Sequence, residues 1–158
     1  MQAIRECDRC AATTKSGTQC RNRTCRGPKC WQHTRSQEGL RIKDSQVPNG
    51  GFGLHTTKRF PAGAKIADYK SEKLTRAAVG RRYNMRQGQY VMCRSDRECF
   101  DARRTNSSFA RYANDSRGTP FVNNARFTAG GDAPILRAAR AIPADREIFV
   151  SYGGDYWK

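Results

Sequence analysis

Short apolar stretches, separated by turn residues, make up most of the chain and indicate strands rather than long helices. Between residues 40 and 152, eight stretches of four to eight residues fit extended backbone. They are Leu40–Lys43, Gly53–Thr57, Lys65–Lys70, Tyr90–Cys93, Glu98–Asp101, Ala125–Thr128, Pro134–Ala141 and Glu147–Tyr152. Helical spacing is confined to Leu74–Tyr83 and a turn or two around Ser107–Tyr112. Because strands and helices do not alternate, the pattern predicts a mainly β fold of small curved antiparallel sheets with short helices.

The first 35 residues lack this pattern and hold five of the seven cysteines. Trp31 is almost their only large apolar residue, so the stretch cannot fold on apolar burial alone. Cys30 and His33 form a close sulfur–imidazole pair, and Cys10 and Cys20 flank a Lys-Ser-Gly-Thr turn that can bring them together. The spacing predicts a small module with a structural zinc ion, against the competing interpretation of a disordered basic arm.

The fourth zinc ligand is open on spacing alone, because Cys7 and Cys25 are alternates and Cys7–Cys10 is itself a CxxC pair. The stretch resembles a small cysteine–histidine zinc motif found near the ends of viral and bacterial proteins. That resemblance favours a ligand set of Cys10, Cys20, Cys30 and His33. The polar segment Thr34–Gly39 then marks a hinge. We expect a zinc-binding module over residues 1–35 and a second domain over residues 36–158.

The chain carries 30 Lys and Arg against 14 Asp and Glu, a formal net charge of +16. An excess of this size favours an acidic partner such as nucleic acid over a merely soluble basic surface. No apolar run is long enough to span a membrane, and the start MQAIRECDRC lacks the apolar core of a signal peptide. We therefore expect an intracellular, non-secreted protein whose cysteines are reduced or metal-bound rather than disulfide-paired.

Four polar or glycine-rich segments follow one another in the second domain: Asn49–Gly53, Arg111–Ser116, Asn123–Phe127 and Ser151–Gly153. Their order resembles that of the SET domain, the protein-lysine methyltransferase family. GGFGLHTTKRFPAGAKIADY is similar to the family's opening, QYVMCRSDRECFDARRTNSSFARYANDS to its middle and ILRAARAIPADREIFVSYG to its close. The short insert and the ending SYGGDYW are most similar to the compact viral SET proteins.

The resemblance implies a histone-lysine N-methyltransferase that uses S-adenosylmethionine. Its implied partners are a histone tail or another basic protein substrate, nucleosomal DNA and a second copy of the chain in a homodimer. The implied location is chromatin in the nucleus, or a host nucleus or virion if the protein is viral. The alternative is a zinc-bearing protein that binds nucleic acid or chromatin, with a catalytically weakened SET-like domain.

The same resemblance assigns site residues. Tyr152 takes the catalytic position. The cofactor-binding set is Gly51, Phe52, Gly53, Tyr90, Arg111, Asn114, Asp115, Tyr156 and Trp157. The channel for the substrate lysine is lined by Phe52, Tyr90, Val150, Tyr152 and Tyr156. Asp115 departs from the family, which has histidine there. Tyr156 and Trp157 are expected to fold over the cofactor or the lysine, in place of the cysteine-rich lid that follows many SET domains.

Elementary chemistry agrees with these assignments. A lysine ammonium has no lone pair and must lose a proton before it attacks a methyl group. A dry aromatic channel beside a sulfonium lowers the pKa of that lysine from its usual value of about 10.4. The Tyr152 hydroxyl would orient the transfer. Val150 lies two residues earlier, at a position that controls repeated transfer in the family, and it cannot hydrogen-bond. We therefore expect di- or trimethylation.

Overall fold

A computed structural model describes residues 3–86 and 88–153. Its strands are short: β1 (Asp8–Arg9), β2 (Arg23–Thr24), β3 (Leu40–Asp44), β4 (Phe52–Thr56), β5 (Lys65–Asp68), β6 (Glu72–Leu74), β7 (Val91–Ser95), β8 (Glu98–Asp101), β9 (Ala125–Thr128) and β10 (Ile135–Ala138). The helices are α1 (Trp31–His33), which continues into a π-helical turn over Thr34–Glu38, α2 (Arg76–Arg82), and a 3₁₀ turn over Ala110–Tyr112. The fold is mainly β with few short helices, as predicted.

The strands form four small antiparallel sheets rather than one large sheet. β1 pairs with β2 and β3 with β4, while β10 lies between β5 and β9, and β8 between β6 and β7. The three sheets formed by β3 to β10 share one hydrophobic core, whose fully buried members include Leu40, Leu54, Phe100, Leu136 and Ile148. The core thus joins residues that are far apart in the sequence. The N-terminal module has a separate small cluster of buried residues. No helix in the described parts of the chain has the length and apolar character needed to cross a membrane.

The predicted strand bounds are mostly accurate. β8 and β9 have the predicted bounds, and the predicted helix Leu74–Tyr83 narrows to α2. Glu147–Tyr152 is different, because Glu147, Phe149 and Val150 form single bridges to three separate partners instead of a continuous ladder. The sequence pattern also missed β6, whose three residues are mostly exposed.

The segment 147–150 lies between β4 on one side and residues 114 and 125 on the other. Its hydrogen bonds position Tyr152, which follows it in the chain. On one side, Ile148 N donates to Leu54 O of β4 at 2.8 Å. On the other side, Val150 N donates to Asn114 O at 2.9 Å, and Ala125 N donates to Phe149 O at 3.0 Å. This interleaving brings Tyr152 beside Ala113 and the glycine turn before β4.

The segment expected to be an irregular hinge is helical. Cys30 precedes α1, and Thr34 continues the turn as a buried residue whose hydroxyl donates to Cys30 O at 3.0 Å. Gly39 ends it with a left-handed φ of 67°. Polar composition misled the prediction because a short helix anchored by a buried Thr needs no apolar stripe.

The cysteines do not all remain free. Cys7 is bonded to Cys25, and Cys93 to Cys99 across the β7–β8 hairpin. The expectation that disulfides are absent is therefore wrong for four of the seven cysteines, and Cys10 is one of the three that stay free. Spacing alone could not separate the two groups, since all five N-terminal cysteines lie within 24 residues.

The start of α2 offers a direct stability test. The Thr75 hydroxyl oxygen accepts a hydrogen bond from Ala78 N at 3.1 Å and caps the helix. Thr75→Ala is expected to lower the free energy of unfolding by about 1 kcal/mol, measured by urea denaturation. Thr75→Ser keeps the oxygen and serves as the control. Equal stability of the two variants would show that this cap contributes nothing.

Candidate functional site

The glycine turn before β4 forms one wall of a cavity of about 500 Å³. Gly51 has a left-handed φ of 61°, and a Cβ at Gly53 would collide with the Glu147 carboxylate. Both positions therefore favour glycine. The cavity is lined here by Asn49, Gly50, Gly51 and Phe52. Gly50 and Gly51 present backbone to the cavity, and Phe52 adds its aromatic ring.

Asn114 holds this turn in place. Its side-chain amide donates to Phe52 O at 3.0 Å and to Ser45 Oγ at 3.0 Å. The buried Glu147 carboxylate accepts hydrogen bonds from Ser45 Oγ at 2.6 Å and Gln46 N at 2.7 Å. Asn114 also lines the cavity, and its predicted contact with a cofactor stays a prediction. Glu147 is a positioning residue that sequence reasoning did not single out.

Arg111 is the buried cation of the site, with 7% of its surface exposed. Its Nε donates to Ala102 O at 2.7 Å, and its guanidinium lies 4.1 Å from the centroid of Tyr90 and 4.7 Å from that of Tyr112. Its Nη2 is buried with no hydrogen-bond partner among the described residues. A buried donor of this kind is costly unless a ligand supplies the acceptor. Arg111 lines the 500 Å³ cavity, so an acidic group bound there would satisfy it.

A second cavity of about 210 Å³ lies on the other side of Tyr152. Four residues line both cavities, namely Gln89, Tyr90, Arg111 and Tyr152. The smaller cavity is otherwise mostly apolar, with walls that include Tyr69, Met92 and Phe127. Tyr69 and Phe127 contact each other edge to face at 5.5 Å. These three lining residues were missed because they come from β7, β9 and the end of β5, which only the fold brings together.

Tyr152 is held at the junction of the two cavities by both its backbone and its side chain. Its N–H donates to Asp115 Oδ2 at 2.8 Å, and its hydroxyl donates to Ala113 O at 2.9 Å. The other carboxylate oxygen of Asp115 accepts from Arg117 N at 2.9 Å. Asp115 therefore ties the backbone of its own loop to the backbone of Tyr152. It lines neither cavity, and its predicted cofactor contact stays a prediction.

The other predicted channel residues are not all brought together. Tyr90 joins Tyr152 at the junction, but Phe52 faces only the larger cavity. Val150 is buried in the hydrophobic core, with 1% of its surface exposed, and it lines neither of the two cavities. Tyr156 and Trp157 lie outside the described residues, so their predicted contacts stay predictions.

Comparison with known proteins gives this architecture a family. The family model of the SET domain matches residues 51–153, which include the four residues that line both cavities and Gly51–Gly53 of the glycine turn. The chain belongs to the SET-domain family. Its structure is similar to the methyltransferase domain of human PR domain-containing protein 2, with a TM-score of 0.56 and 21% sequence identity over 74% of this chain and 78% of that one. At that identity the likeness shows the fold. A search of curated proteins found no match.

The N-terminal module lies outside the SET match and forms the opposite wall of the larger cavity. Ala3, Arg5, Cys25 and Arg26 all line it. The Arg26 guanidinium lies 3.7 Å from the Phe52 ring centroid, and Gly27 N donates to Thr105 O at 2.9 Å. No local sequence signal indicates this contact, because it joins segments that are about 25 and 80 residues apart. The module therefore covers the cavity of the SET domain.

The metal-ligand set favoured by the sequence converges in this module. The ligand atoms of Cys10, Cys20, Cys30 and His33 all lie within 4.8 Å of one another. Cys30 Sγ is 3.3 Å and Cys10 Sγ is 3.7 Å from His33 Nδ1. The turn predicted between Cys10 and Cys20 is closed by Cys20 N, which donates to Ala12 O at 2.8 Å. Three sulfurs and an imidazole suit structural zinc, so the residues fit that ion.

The alternates are ruled out as ligands here, because Cys7 and Cys25 bond to each other. Burial acts to raise the pKa of the Cys30 thiol, but hydrogen bonds from the His33 backbone and from the Asn22 and His33 side chains lower it to about 6. A thiolate at neutral pH is the form that binds metal.

The contact between Arg26 and Phe52 can be tested alone. Arg26→Ala is expected to raise the Kd for S-adenosylmethionine about twofold to fivefold, because a partly exposed cation–π contact contributes roughly 0.5–1 kcal/mol. The measurement is isothermal titration calorimetry. Arg23→Ala is the matched control, since Arg23 lies on β2 of the same module but does not line this cavity. Equal Kd values for wild type and Arg26→Ala would show that Arg26 does not contribute to cofactor binding.

Proposed function

We propose that the protein is an S-adenosylmethionine-dependent protein-lysine N-methyltransferase. The observation that carries the proposal is that Tyr152 lines two adjoining cavities. The larger cavity has a glycine turn and the unpartnered Arg111 Nη2. The smaller one is lined by the aromatic rings of Tyr69, Tyr90 and Phe127. Such a pair suits a polar cofactor on one side and a lysine side chain on the other.

The larger cavity fits the cofactor by the chemistry of its donors. S-adenosylmethionine carries a carboxylate, and Arg111 Nη2 offers a buried donor for such a group. The backbone at Gly51 and Phe52 can contact the cofactor closely, and Asn114 keeps that backbone in place. When bound, the cofactor supplies an electrophilic methyl group on a sulfonium.

The smaller cavity prepares the lysine. The rings of Tyr69, Tyr90 and Phe127 would replace part of the water around an ammonium that enters, and this desolvation lowers its pKa so that the neutral amine becomes accessible. The Tyr152 hydroxyl orients the reacting groups at the junction, and its hydrogen bond to Ala113 O fixes its direction. The released proton leaves to solvent, because the sequence offers no evident catalytic base.

We further propose histone tails in chromatin as the substrate, a nuclear location and nucleosomal DNA as a partner. The net charge of +16 supports the DNA partner, because it favours polyanionic surroundings. The resemblance to the SET family supports the histone substrate. Resemblance to the compact viral SET proteins supports a homodimer, which sedimentation would test. The experiment for the substrate is incubation with labelled cofactor and nucleosomes or other basic proteins, with mass spectrometry to locate the label. Label on a non-histone protein alone would refute the histone proposal but leave the enzyme.

One observation favours the second candidate, a zinc-bearing chromatin-binding protein with a weakened SET domain. Asp115 stands where the family has histidine, and its carboxylate binds the backbone of Tyr152. A side-chain contact that histidine makes to the cofactor would then be lost. Calorimetry separates the two candidates: a measurable S-adenosylmethionine affinity supports the enzyme, whereas no heat and no thermal stabilisation supports the second candidate.

A further inference from the structure

A basic surface lies between the N-terminal module and β3, next to the cofactor cavity. It is a groove of about 560 Å³ lined by six cationic side chains, which are Arg5, Arg23, Arg26, Lys29, Arg35 and Arg41. Of the described residues, no Asp or Glu lines it. We call this the basic groove. Cations gathered in a concave surface focus a positive potential that attracts anions.

Few of the cations that line the groove form an ion pair with a carboxylate of the described residues. Lys29 pairs with Glu38 at the edge of the groove. Arg23 instead donates to the Cys7 carbonyl at 2.7 Å, which leaves its charge uncompensated. Arg35 and Arg41 are exposed and make no ion pair within residues 3–86 and 88–153. The groove therefore presents free guanidinium groups, the side chains that match phosphate geometry best.

An exposed indole stands in the same wall. Trp31 lines the groove and is 73% exposed, although large aromatic side chains are usually covered. It sits on α1 between Cys30 and His33, two of the converging ligands, so its position is fixed by the module and not by packing of its own ring. An exposed indole beside arginines is an arrangement on which unpaired bases stack.

We propose that the basic groove binds single-stranded nucleic acid, with phosphates on Arg35 and Arg41 and a base stacked on Trp31. A duplex satisfies the arginines but keeps its bases stacked inside, and an acidic peptide has no base to stack. Only an unpaired strand uses both features. The proposal does not depend on methyl transfer, so its outcome is independent of the proposed enzyme activity. The shared residues Arg5 and Arg26 place the bound strand beside the cofactor cavity.

The test measures binding of a labelled ten-nucleotide oligothymidine, the matching duplex and a polyglutamate of equal charge by fluorescence anisotropy. Trp31→Ala is expected to weaken single-strand binding about tenfold and to leave duplex binding unchanged. Arg35→Ala/Arg41→Ala should weaken binding of both nucleic acids and lower the slope of log K against log salt for the single strand by about 1.4, or two phosphates at about 0.7 each. In a Trp157→Phe background, Trp31 is the sole tryptophan, and its fluorescence should be quenched by the single strand.

The matched control is Arg59→Ala/Arg81→Ala, which removes two exposed cations from elsewhere on the surface. It is expected to bind the single strand within about twofold of wild type, because the salt-dependent term counts only cations that contact phosphates. An equal loss in this control would mean that total charge and not the groove binds the strand. Tighter binding of duplex or polyglutamate, or an unchanged affinity in Trp31→Ala, would overturn the proposal.

Discussion

Tyr152→Phe is expected to lower kcat for methyl transfer about a hundredfold to a thousandfold, the usual effect of losing one oriented donor at a reacting centre. The Kd for S-adenosylmethionine should stay within about twofold, because the hydroxyl acts on transition-state geometry and not on ground-state binding. The structure indicates that this substitution removes the hydroxyl and leaves the ring in position. The backbone of Tyr152 is held separately by Asp115, so the ring keeps its place when the hydroxyl is removed.

The measurement compares single-turnover rates and calorimetric affinities of the same preparations. Tyr83→Phe is the matched control. The Tyr83 hydroxyl also donates a hydrogen bond, to Asp101 Oδ2 at 2.8 Å, but Tyr83 lines neither cavity. That control should retain most of its activity. If Tyr152→Phe and Tyr83→Phe were equally active, Tyr152 would not be the catalytic residue.

Loss of the metal site has the second large expected effect. Cys10→Ser should abolish zinc binding and unfold the module, which has little apolar core of its own. Because Cys25 and Arg26 form a wall of the larger cavity, the affinity for S-adenosylmethionine should fall with it, roughly tenfold or about 1.4 kcal/mol. Metal analysis and calorimetry on the same sample report both effects.

Cys93→Ser/Cys99→Ser is the control, because it removes two sulfurs from the β7–β8 hairpin and leaves the ligand set intact. It should keep its zinc. Two results would contradict the account: wild-type protein without zinc, or a Cys10→Ser protein that lacks zinc and binds the cofactor as tightly as wild type. The second result would show that the module is not a functional wall of the cavity.

Local patterns were sufficient to predict several of the elements. Alternation and turn residues located β8 and β9, because these signals lie within a few consecutive residues. The resemblance to the SET family, and not a local pattern, singled out Asn114 and Tyr152, which both line the larger cavity. The bridging segment before Tyr152 looked like a strand from its local pattern. It pairs with different partners on its two sides, which no local pattern records.

The sequence did not reveal the contacts between segments that are far apart in the chain. Tyr69 and Phe127 line the smaller cavity because β5 and β9 flank β10. Arg26 reaches Phe52 only through the docking of the module. The structure adds a wall from the N-terminal module, whereas the expected cover from Tyr156 and Trp157 lies outside the described residues and stays a prediction.

The most direct test of the central claim is transfer of a trideuterated methyl group from S-adenosylmethionine to a lysine. Wild-type protein, incubated with nucleosomes and labelled cofactor, should give labelled lysine that tandem mass spectrometry locates, and Tyr152→Phe should give almost none in the same time. If wild-type protein that binds the cofactor labels no lysine on nucleosomes or on a panel of basic proteins, the methyltransferase account is contradicted.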